Sequence, residues 1–413
     1  MKGTYDVLPE SQGAWRHLRD TAERVLGRAG VAELATPIFE YSELFDRSVG
    51  ESADLVVQKE MYRFEDRGGR SLTLRPEFTA GVLRAFVEHG MHTRPTPVKL
   101  WSLGPAFRAE NVQRGRFRQF HQLNCELLGL PGPLLDAESI ALLHDLLVAL
   151  GLPRVRVALG SVGDPEDRDA YNAYLRDALT PVQDRLSPTS RERLRLNPMR
   201  VLDSKDEGDQ ALIQDLDAPL DRLGPAAREH LDAVAGYLRD WGIPYDLAPS
   251  IVRGLDYYRR TAFEVHAEGI GAQSALAGGG RYDELVRTLG GPATPAIGWA
   301  MGVERVLDAL AQAEALPTGA AGPDLFLVPM DAAAVDEAAR LARDLRPHLH
   351  VQHAYQKRAP GKGLRDADRV GARWAAMRGE RERERDVWTL KHLASGEQRE
   401  IASSELAAAA RKD

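Results

Sequence analysis

The sequence predicts an α+β fold in which an antiparallel strand pair, a helical insertion and a separate C-terminal α/β domain follow one another. Three observations support this prediction. Polar and apolar residues alternate at 99–128, a charged helix-like segment occupies 165–241, and an Ala/Gly/Pro-rich join precedes an apolar run. We therefore predict two domains, at 1–320 and 323–413, with the insertion inside the first.

The composition is that of an ordinary globular protein. The chain has 413 residues, 43% of them hydrophobic and 28% charged, so it is long enough for more than one domain core. The single cysteine, Cys125, excludes an intramolecular disulfide framework and a clustered thiolate metal site, and it suits a reducing cytosol. No signal-peptide pattern opens the chain and no apolar run is long enough for a membrane span. We therefore predict a soluble, cytoplasmic protein.

The net charge is distributed unevenly along the chain. The formal charge is −7, yet residues 323–413 contain 17 Lys and Arg against 15 Asp and Glu, which leaves −9 for the remainder. Within 357–385 there are 10 basic residues against 5 acidic ones. Such a basic patch can meet phosphates even when the whole protein is acidic. An ordinary solvated helix surface is the alternative.

Apolar spacing predicts further elements near both ends of the chain. Helical spacing close to the N-terminus predicts an amphipathic first helix. After the join, the apolar run at 324–330 predicts a buried strand, with a helix behind it, and the Glu/Arg run at 380–386 predicts a solvated turn. The apolar helix positions are Trp15, Leu18, Ala22, Val25 and Leu26, then Ala334, Ala338, Leu341 and Leu345.

The second strand of the central pair has one polar and one largely apolar face. Because strand side chains alternate, a hairpin brings the polar faces of both strands onto one surface. That surface is either the solvated side of an ordinary sheet or a binding surface. Its arginines, carboxylates, amides and aromatic ring favour binding, because they suit phosphates, an ammonium group and adenine. The polar-face positions are Arg116, Arg118, Phe120, Gln122, Asn124 and Glu126.

Several segments resemble one enzyme family, in the family's own order. The runs at 107–110 (FRAE) and 116–120 (RFRQF) resemble motif 2 of class II aminoacyl-tRNA synthetases, and 298–305 (GWAMGVER) resembles motif 3. The histidyl-tRNA synthetase subgroup is resembled in particular by 2–9 (KGTYDVLP), 74–79 (LRPEFT), 253–258 (RGLDYY), 278–283 (GGGRYD) and the C-terminal strand and helix pattern.

This resemblance implies a class II synthetase antiparallel sheet flanked by helices, a helical insertion and a C-terminal anticodon-binding domain. It implies a homodimer with motif 1, near 30–40, in its interface. It also implies L-histidine, ATP with Mg²⁺, and tRNA(His) as the reactants and partners of a ligase that activates histidine and transfers it to the tRNA 3′ end. The histidines of the chain show no metal-ligand spacing, so we predict no metal site built from side chains.

The resemblance also implies a role for each site residue. Arg253 and Arg108 are the expected catalytic residues, at the α-phosphate of ATP. The expected histidine-binding residues are Glu77, Thr79, Gln122, Glu126, Arg253, Tyr257 and Tyr258. The expected ATP-binding residues are Arg108, Glu110, Arg116, Phe120 and Arg305.

The residues alone leave structural alternatives for several of these features. Glu77 can simply cap the helix that begins near Thr79. Arg305 can be a surface residue at a helix start, and the glycines at 278–280 can form a plain turn. Adjacent tyrosines in a strand point to opposite faces, so unless a bulge intervenes we expect at most one of Tyr257 and Tyr258 to touch the histidine ring. The resemblance favours Tyr258.

Two places depart from the family's pattern, and two rival functions stay open. Phe78 stands where relatives commonly carry glycine or another residue. Asn111 and Val112 stand where relatives have Arg-Pro, in the motif 2 loop that contacts the tRNA acceptor end. The rivals are a synthetase-like regulatory subunit of histidine biosynthesis and a non-catalytic RNA-binding module. Regulatory paralogues usually lack the C-terminal domain and have lost parts of the arginine and tyrosine motif. This chain has both the domain and the intact motif.

Overall fold

The structure is a computed structural model, and it describes residues 1–49, 60–110, 115–249, 251, 257–267, 275–316 and 322–411. The chain divides into two compact units, one of Met1–Val7 with Ala14–Leu316 and one of Leu8–Gly13 with Pro317–Asp413. Among the described helices, none combines the length and the apolar composition that a membrane crossing requires.

The first unit contains both strands and helices. The strands are β1 (Ala32–Glu33), β2 (Phe39–Tyr41), β3 (Arg63–Glu65), β4 (Ser71–Leu74), β5 (Val98–Phe107), β6 (Gln119–Leu128), β7 (Val155–Ser161), β8 (Tyr245–Leu247), β9 (Arg259–Ala267), β10 (Ala277–Arg281) and β11 (Ala296–Gly302). The helices are α1 (Gln12–Arg28), α2 (Ser42–Val49), α3 (Thr79–Glu88), α4 (Pro133–Ala149), α5 (Pro165–Leu179), α6 (Pro188–Leu196), α7 (Glu207–Ile213), α8 (Pro225–Asp240), α9 (Leu285–Thr288) and α10 (Val303–Gln312).

The main sheet of the first unit has the strand order β1-β5-β6-β11-β10-β9-β7-β8, as counted over the described residues. From β5 to β7 every neighbouring pair is antiparallel, whereas β1 and β8 add short parallel edges. Strands β5 and β6 pair from Val98 opposite Leu128 to Phe107 opposite Gln119. The predicted α+β fold and its central antiparallel pair are therefore confirmed.

One face of this sheet is covered by helices. The apolar side chains of β6 enter a core with the apolar sides of α1, α4, α8 and α10. Helix α1 buries Leu18, Ala22 and Leu26, which confirms the predicted amphipathic helix. Because β6 alternates, its polar side chains point to the opposite face. A small separate sheet of order β2-β4-β3 precedes α3.

The helical insertion differs from the predicted segment at its C-terminal end. Helices α5 to α7 and the intervening turns have small cores of their own, with Leu179, Leu194 and Val201 buried in one of them. Helix α8 instead contributes Leu231 and Val234 to the core of the main sheet. The self-packed part of the insertion therefore ends before α8, whereas charge and helical pattern predict one segment to residue 241.

The second unit is an α/β sandwich. Its strands are β12 (Leu325–Pro329), β13 (Val351–His353), β14 (Trp374–Arg378), β15 (Val387–His392) and β16 (Gln398–Ala402), in the order β13-β12-β14-β15-β16. Its helices are α11 (Ala332–Leu345), α12 (Pro360–Arg369), α13 (Glu380–Glu384) and α14 (Leu406–Arg411). The predicted buried strand and following helix are β12 and α11. The run at 380–386, predicted as a turn, contains the short helix α13.

Helices α11 and α12 lie on opposite faces of this second sheet. Leu325 and Leu327 pack with α11, whereas Phe326 and Val328, which alternate with them, pack with Ala367 of α12. Both faces of β12 are therefore buried, which explains its unbroken apolar sequence.

Candidate active site

A cavity of about 310 Å³ opens on the polar face of β6. Its size lies within the range of small-molecule sites. Every predicted site residue that the structure describes lines it: Glu77, Thr79, Arg108, Glu110, Arg116, Phe120, Gln122, Glu126, Tyr257, Tyr258 and Arg305. The predicted catalytic residue Arg253 and the departing pair Asn111 and Val112 lie outside the described residues.

The inner part of this polar face is buried, not solvated. Gln122, Asn124 and Glu126 are 9%, 0% and 1% exposed, so the solvated side of an ordinary sheet is excluded at these positions. Gly298 of β11 pairs with Glu126, and a Cβ added to it would lie 1.7 Å from Glu126 Oε2. Gln122 Oε1 has no hydrogen-bond partner among the described residues. A buried acceptor of this kind, on the cavity wall, is suited to a ligand donor.

Three donors surround the carboxylate of Glu126. Thr79 Oγ1 donates to Oε1 at 2.7 Å, Asn124 Nδ2 donates to the same oxygen at 3.0 Å, and the Tyr282 hydroxyl donates to Oε2. Burial and, to a lesser extent, the nearby charge of Glu77 raise the pKa of Glu126 to about 7, although these hydrogen bonds favour the ionised form. The carboxylate is thus positioned to accept a hydrogen bond from an N–H group or to face a cation.

Glu77 lies between β4 and α3 and both caps this helix and lines the cavity. Its Oε2 accepts the N–H of Thr79 at 2.5 Å and its Oε1 accepts the N–H of Ala80 at 3.0 Å. Burial raises the pKa of Glu77, and the helix N–H groups and the charge of Arg108 partly offset that rise. A carboxylate has about four lone-pair directions, so a helix cap and a bound ammonium group are compatible.

Tyr257 and Tyr258 both line the cavity, and the expectation that at most one of them touches the histidine ring stays a prediction. The two residues precede β9, and the alternation rule for strands therefore does not apply to them. Their ring centroids are 4.7 Å apart, and the ring of Tyr257 is 5.6 Å from that of Tyr282. The three rings form an aromatic wall beside Glu126.

The backbone that follows the two tyrosines is anchored by Asp164. Its carboxylate accepts Nε of Arg259 at 2.6 Å and Nε of Arg260 at 2.9 Å. Arg260 has a φ of +52°, a left-handed conformation that costs a non-glycine residue about 1 kcal/mol. Its N–H donates to the carbonyl of Gly163 and its carbonyl accepts the N–H of Val162, each at 2.8 Å. These contacts hold an unusual backbone geometry next to the site.

The opposite end of the cavity is basic. Arg108 donates from Nε to the carbonyl of Pro76 at 2.9 Å, and its guanidinium lies 5.3 Å from the centroid of the Phe120 ring. Arg116 pairs with Glu110 at 3.3 Å. Guanidinium groups beside a partly buried aromatic ring that lines the cavity suit the phosphates and the base of a nucleotide.

Arg305 joins this basic end from the first turn of α10. It donates to the carbonyls of Gly115 at 3.2 Å and of Ala275 at 3.1 Å. Burial lowers the pKa of Arg305, and the charges of Arg116 and Arg108 lower it further. Arg305 lines the cavity, so the alternative that it is an ordinary surface residue is wrong. Three arginines close together favour the binding of an anion.

The N-terminal segment fixes the outer end of β6. The carbonyl of Gly3 accepts the N–H of Arg118 at 2.8 Å, and the hydroxyl of Tyr5 donates to Glu304 Oε1 at 2.7 Å. The carboxylate of Glu304 also accepts the N–H of His121 at 2.8 Å. The N-terminal motif at 2–9 thus links β6 to α10 through the hydrogen bonds of Gly3 and Tyr5.

Sequence reasoning did not assign Tyr282, although the motif at 278–283 contains it. Its hydroxyl reaches Glu126 because β10 and β6 both pair with β11. The residue before it, Arg281, is 1% exposed and pairs with the buried carboxylate of Asp136 on α4, which also accepts the hydroxyl of Thr261. The buried pair fixes β10 from the side away from the cavity. The arginine within an otherwise apolar strand sequence is the feature from which this buried ion pair could have been predicted.

Within the part of the chain that the structure describes, no group of three or more His, Cys, Asp or Glu side chains is placed to hold a metal ion. Mg²⁺ in nucleotide sites commonly takes only one or two carboxylates together with the substrate's phosphates. Glu110 and Glu264 both line the cavity. These residues fit a cation that arrives with a nucleotide, and they do not form a dedicated metal cage.

Comparison with known proteins gives the same architecture. The family model described as histidyl-tRNA synthetase matches residues 3–306, and the one described as anticodon binding domain matches 324–413. The chain is 53% identical to a histidine–tRNA ligase of Thermus thermophilus over 409 residues, which cover 98% of this chain and 97% of that protein. It is 49% identical to a histidine–tRNA ligase of Deinococcus radiodurans over 419 residues, with 98% and 97% covered.

A solved structure extends this comparison to the fold. The crystal structure of apo S. aureus histidyl-tRNA synthetase superposes with a TM-score of 0.83 at 34% identity, and the match covers 100% of this chain and 99% of that one. Together, the fold, the cavity and the second unit define an aminoacyl-tRNA ligase. The chain belongs to the histidyl-tRNA synthetase family.

Proposed function

We propose that this enzyme activates L-histidine with ATP to histidyl-adenylate and transfers the histidyl group to the 3′ end of tRNA(His). The observation that supports this proposal is the polarity of the cavity. Buried carboxylates at one end suit the ammonium and imidazole groups of histidine, and arginines beside an aromatic ring at the other suit ATP. Family membership supports the same reaction.

In the proposed binding mode, histidine occupies the acidic end of the cavity and ATP occupies the basic end. Glu77 and Thr79 hold the α-amino group, Gln122 and Glu126 contact the imidazole with the tyrosine wall, and Phe120 stacks on adenine. A site built from buried hydrogen-bonding groups rejects apolar amino acids of similar shape by roughly 10⁴-fold, because its polar groups would be left unpaired. Such discrimination needs no editing site.

In the first half-reaction an oxygen of the histidine carboxylate attacks the α-phosphorus of ATP, and the bond to pyrophosphate breaks. Arg108 faces the α-phosphate and, with Arg116 and Arg305, stabilises the charge that develops on the phosphates. Arg253 is proposed to act at the same phosphate. In the second half-reaction a ribose hydroxyl of the terminal adenosine attacks the activated carbonyl carbon, and AMP leaves.

Mg²⁺ is proposed to accompany ATP. It would be held by the substrate's phosphates together with Glu110 and Glu264, and it would supply charge neutralisation there. The enzyme is proposed to work in the cytoplasm, where tRNA is charged for protein synthesis. The buried Cys125 suits a reducing compartment of this kind.

We also propose a homodimer whose interface includes the small sheet β2-β4-β3. This sheet exposes three aromatic side chains, Phe39, Tyr41 and Phe64, with 52%, 54% and 43% of their surface accessible. Contiguous exposed aromatic residues mark interaction surfaces in soluble proteins. The motif 1 segment near 30–40 leads into this sheet.

Phe39→Glu is expected to convert the dimer to monomers, because it places a charge in the centre of the proposed apolar interface. Sedimentation velocity at fixed protein concentration measures this. Leu247→Glu is the matched control, since Leu247 is 51% exposed on the edge strand β8. If the Phe39 variant sediments as the parent does, the small sheet is not the dimer surface.

The regulatory alternative is not favoured. The match to ligases covers 98% of the chain, including the anticodon-binding unit, and the described arginines and tyrosines of the site are in place. A non-catalytic RNA-binding module would give no histidine-dependent pyrophosphate exchange, so an activity measurement separates it from the proposed enzyme.

Removal of residues after Gly322 is expected to separate the two half-reactions. The main-sheet core and the cores of the second unit are distinct, so histidine activation should stay within a few-fold of the full chain. Aminoacylation is expected to fall by about tenfold or more, with a weaker salt dependence of tRNA binding, because phosphate contacts are lost. A truncated, still dimeric protein that charges tRNA as well as the full chain would contradict the assignment.

A further inference from the structure

The two ends of the helical insertion are joined to the rest of the first unit at one point. Asp164 stands at the N-cap position of α5, the first helix of the insertion, and Gly224 directly precedes α8, where the self-packed part has ended. The carboxylate of Asp167 accepts the N–H of Asp164 at 2.9 Å and the N–H of Gly224 at 3.0 Å. Both chain crossings are therefore bonded to the same side chain.

The crossing point is closely packed. A Cβ added to Gly224 would lie 2.5 Å from Asp167 Oδ1, and one added to Gly163 would lie 2.6 Å from Asp167 Cβ. Gly163 also has a φ of +70°, a conformation that glycine adopts without strain. The two glycines thus let the segments that enter and leave the insertion approach the start of α5.

The same point is bonded to the backbone that carries the aromatic wall. Arg168, near the start of α5, donates from Nη1 to the carbonyl of Tyr258 at 3.3 Å. The carboxylate of Asp164 accepts Nε and Nη2 of Arg260 at 2.9 Å and 3.0 Å, and it also accepts Nε of Arg259 at 2.6 Å. Three consecutive residues are thus held by the start of α5.

The contact between Asp164 and the two arginines depends on charge. Partial burial raises the pKa of Asp164, but the hydrogen bonds and the charges of Arg260 and Arg259 outweigh this effect, so the pKa lies below its usual value. The carboxylate is therefore ionised at neutral pH. A bidentate contact between charged groups fixes orientation more closely than a single neutral hydrogen bond does.

The position of the Tyr258 ring depends on this backbone. A Cβ added to Gly280 would lie 2.7 Å from Tyr258 Cδ1, so the ring lies directly against β10. On another side the ring packs with Val162 and Ala262. The described pairings of β9 begin at Arg259, so they do not include Tyr258. The contacts to α5 are therefore the ones that hold its backbone.

We propose that Asp164 is a positioning residue for histidine recognition, which orients the aromatic wall at the acidic end of the cavity. Asp164 does not line the cavity, so it acts through Arg259 and Arg260, and it connects the anchor of the insertion to the histidine end. This inference rests on the proposed function, because it assumes that histidine occupies the acidic end. Arg108 and Phe120 at the basic end are held by other contacts, so ATP use should change little.

Asp164→Asn in the full-length enzyme tests this role. Asparagine is as favourable as aspartate at a helix N-cap, but it lacks the charge that the two guanidinium groups share. The variant is expected to raise the KM for histidine in pyrophosphate exchange about tenfold, while the KM for ATP changes by less than about threefold. Asp206→Asn is the matched control, because Asp206 is the N-cap residue of α7 and does not line the cavity. Its variant should change neither constant.

Arg260→Gly tests the same contact from the other side. Glycine adopts the left-handed conformation of Arg260 without strain, so the midpoint of urea unfolding should stay close to that of the parent. The KM for histidine is expected to rise about tenfold, as for Asp164→Asn. In the double variant it should rise little beyond the value of Asp164→Asn alone, because both substitutions remove one contact, whereas independent effects would multiply to about a hundredfold.

Three results would overturn the inference. They are an unchanged KM for histidine in Asp164→Asn, an equal rise in the KM for both substrates, and fully multiplied effects in the double variant. In each case normal histidine-dependent exchange by the parent would leave the proposed function standing. Parent enzyme without exchange activity would instead contradict the proposed function itself.

Discussion

Glu126→Gln is expected to raise the KM for histidine by about tenfold to a hundredfold while the KM for ATP changes by less than about threefold. A hydrogen bond to a charged group is worth about 1.5–3 kcal/mol, and this carboxylate is the proposed partner of the imidazole N–H. Glutamine keeps the shape of the side chain but loses its charge. Steady-state pyrophosphate exchange with each substrate varied in turn measures both constants.

The same substitution is expected to stabilise the ligand-free enzyme at alkaline pH. Glu126 has a pKa of about 7 in the folded protein, above the ordinary glutamate value of 4.5. The protonated side chain of Glu126 therefore stabilises the folded state. This stabilising contribution to the free energy of unfolding is fully present below pH 4.5 and is lost as the pH rises through 7. Glutamine carries no such charge, so at about pH 8 the variant should exceed the parent by up to roughly 3 kcal/mol, with little difference at about pH 4.5.

Urea unfolding at the two pH values, at one protein concentration, measures this difference. Glu229→Gln is the matched control, because Glu229 is exposed on α8 and does not line the cavity. The prediction for Glu126 is wrong if ATP and histidine use fall equally, or if the variant is less stable than the parent at the alkaline pH. A purely structural carboxylate would give that second result.

Arg108→Ala is expected to lower kcat/KM for adenylate formation by about a hundredfold. The guanidinium stands at the basic end of the cavity, and one preorganised group that stabilises developing charge is commonly worth about 3 kcal/mol. Arg108→Lys should recover only part of the loss, because an ammonium group keeps the charge but lacks the planar pair of donors. Single-turnover measurement of histidyl-adenylate formation reports this step directly.

Arg287→Ala is the control for this prediction, since Arg287 is exposed on α9 and pairs with Glu284 at 3.1 Å. Arg253→Ala is expected to give a loss of the same size as Arg108→Ala, by the resemblance of 253–258 to the family motif. Activity within a few-fold of the parent in both arginine variants would contradict the assigned phosphate end.

Local rules predicted the face of β6 that forms the site. Side-chain alternation alone places Phe120, Gln122 and Glu126 on one side, and the structure has them together. Their burial was not predictable from alternation, because it depends on distant segments. Gly298, far along the chain from Glu126, leaves the space beside the carboxylate.

Non-local contacts explain what the sequence could not predict. Tyr282 reaches Glu126 across 156 positions, through the order of β6, β11 and β10 in the sheet. The expectation for Tyr257 and Tyr258 treated them as strand residues, whereas the strand begins at Arg259, beyond both. Asp164, almost a hundred positions away, holds the backbone there. Register between distant segments depends on the whole fold, which a local pattern does not contain.

Histidine-dependent ATP–pyrophosphate exchange by the full-length chain tests the central claim most directly. The cavity predicts exchange with histidine and Mg²⁺-ATP, and at least about a thousandfold lower kcat/KM with phenylalanine or leucine, because buried Gln122 and Glu126 would lack partners. Equal exchange with an apolar amino acid, or no exchange with histidine by folded dimeric protein, would contradict the account.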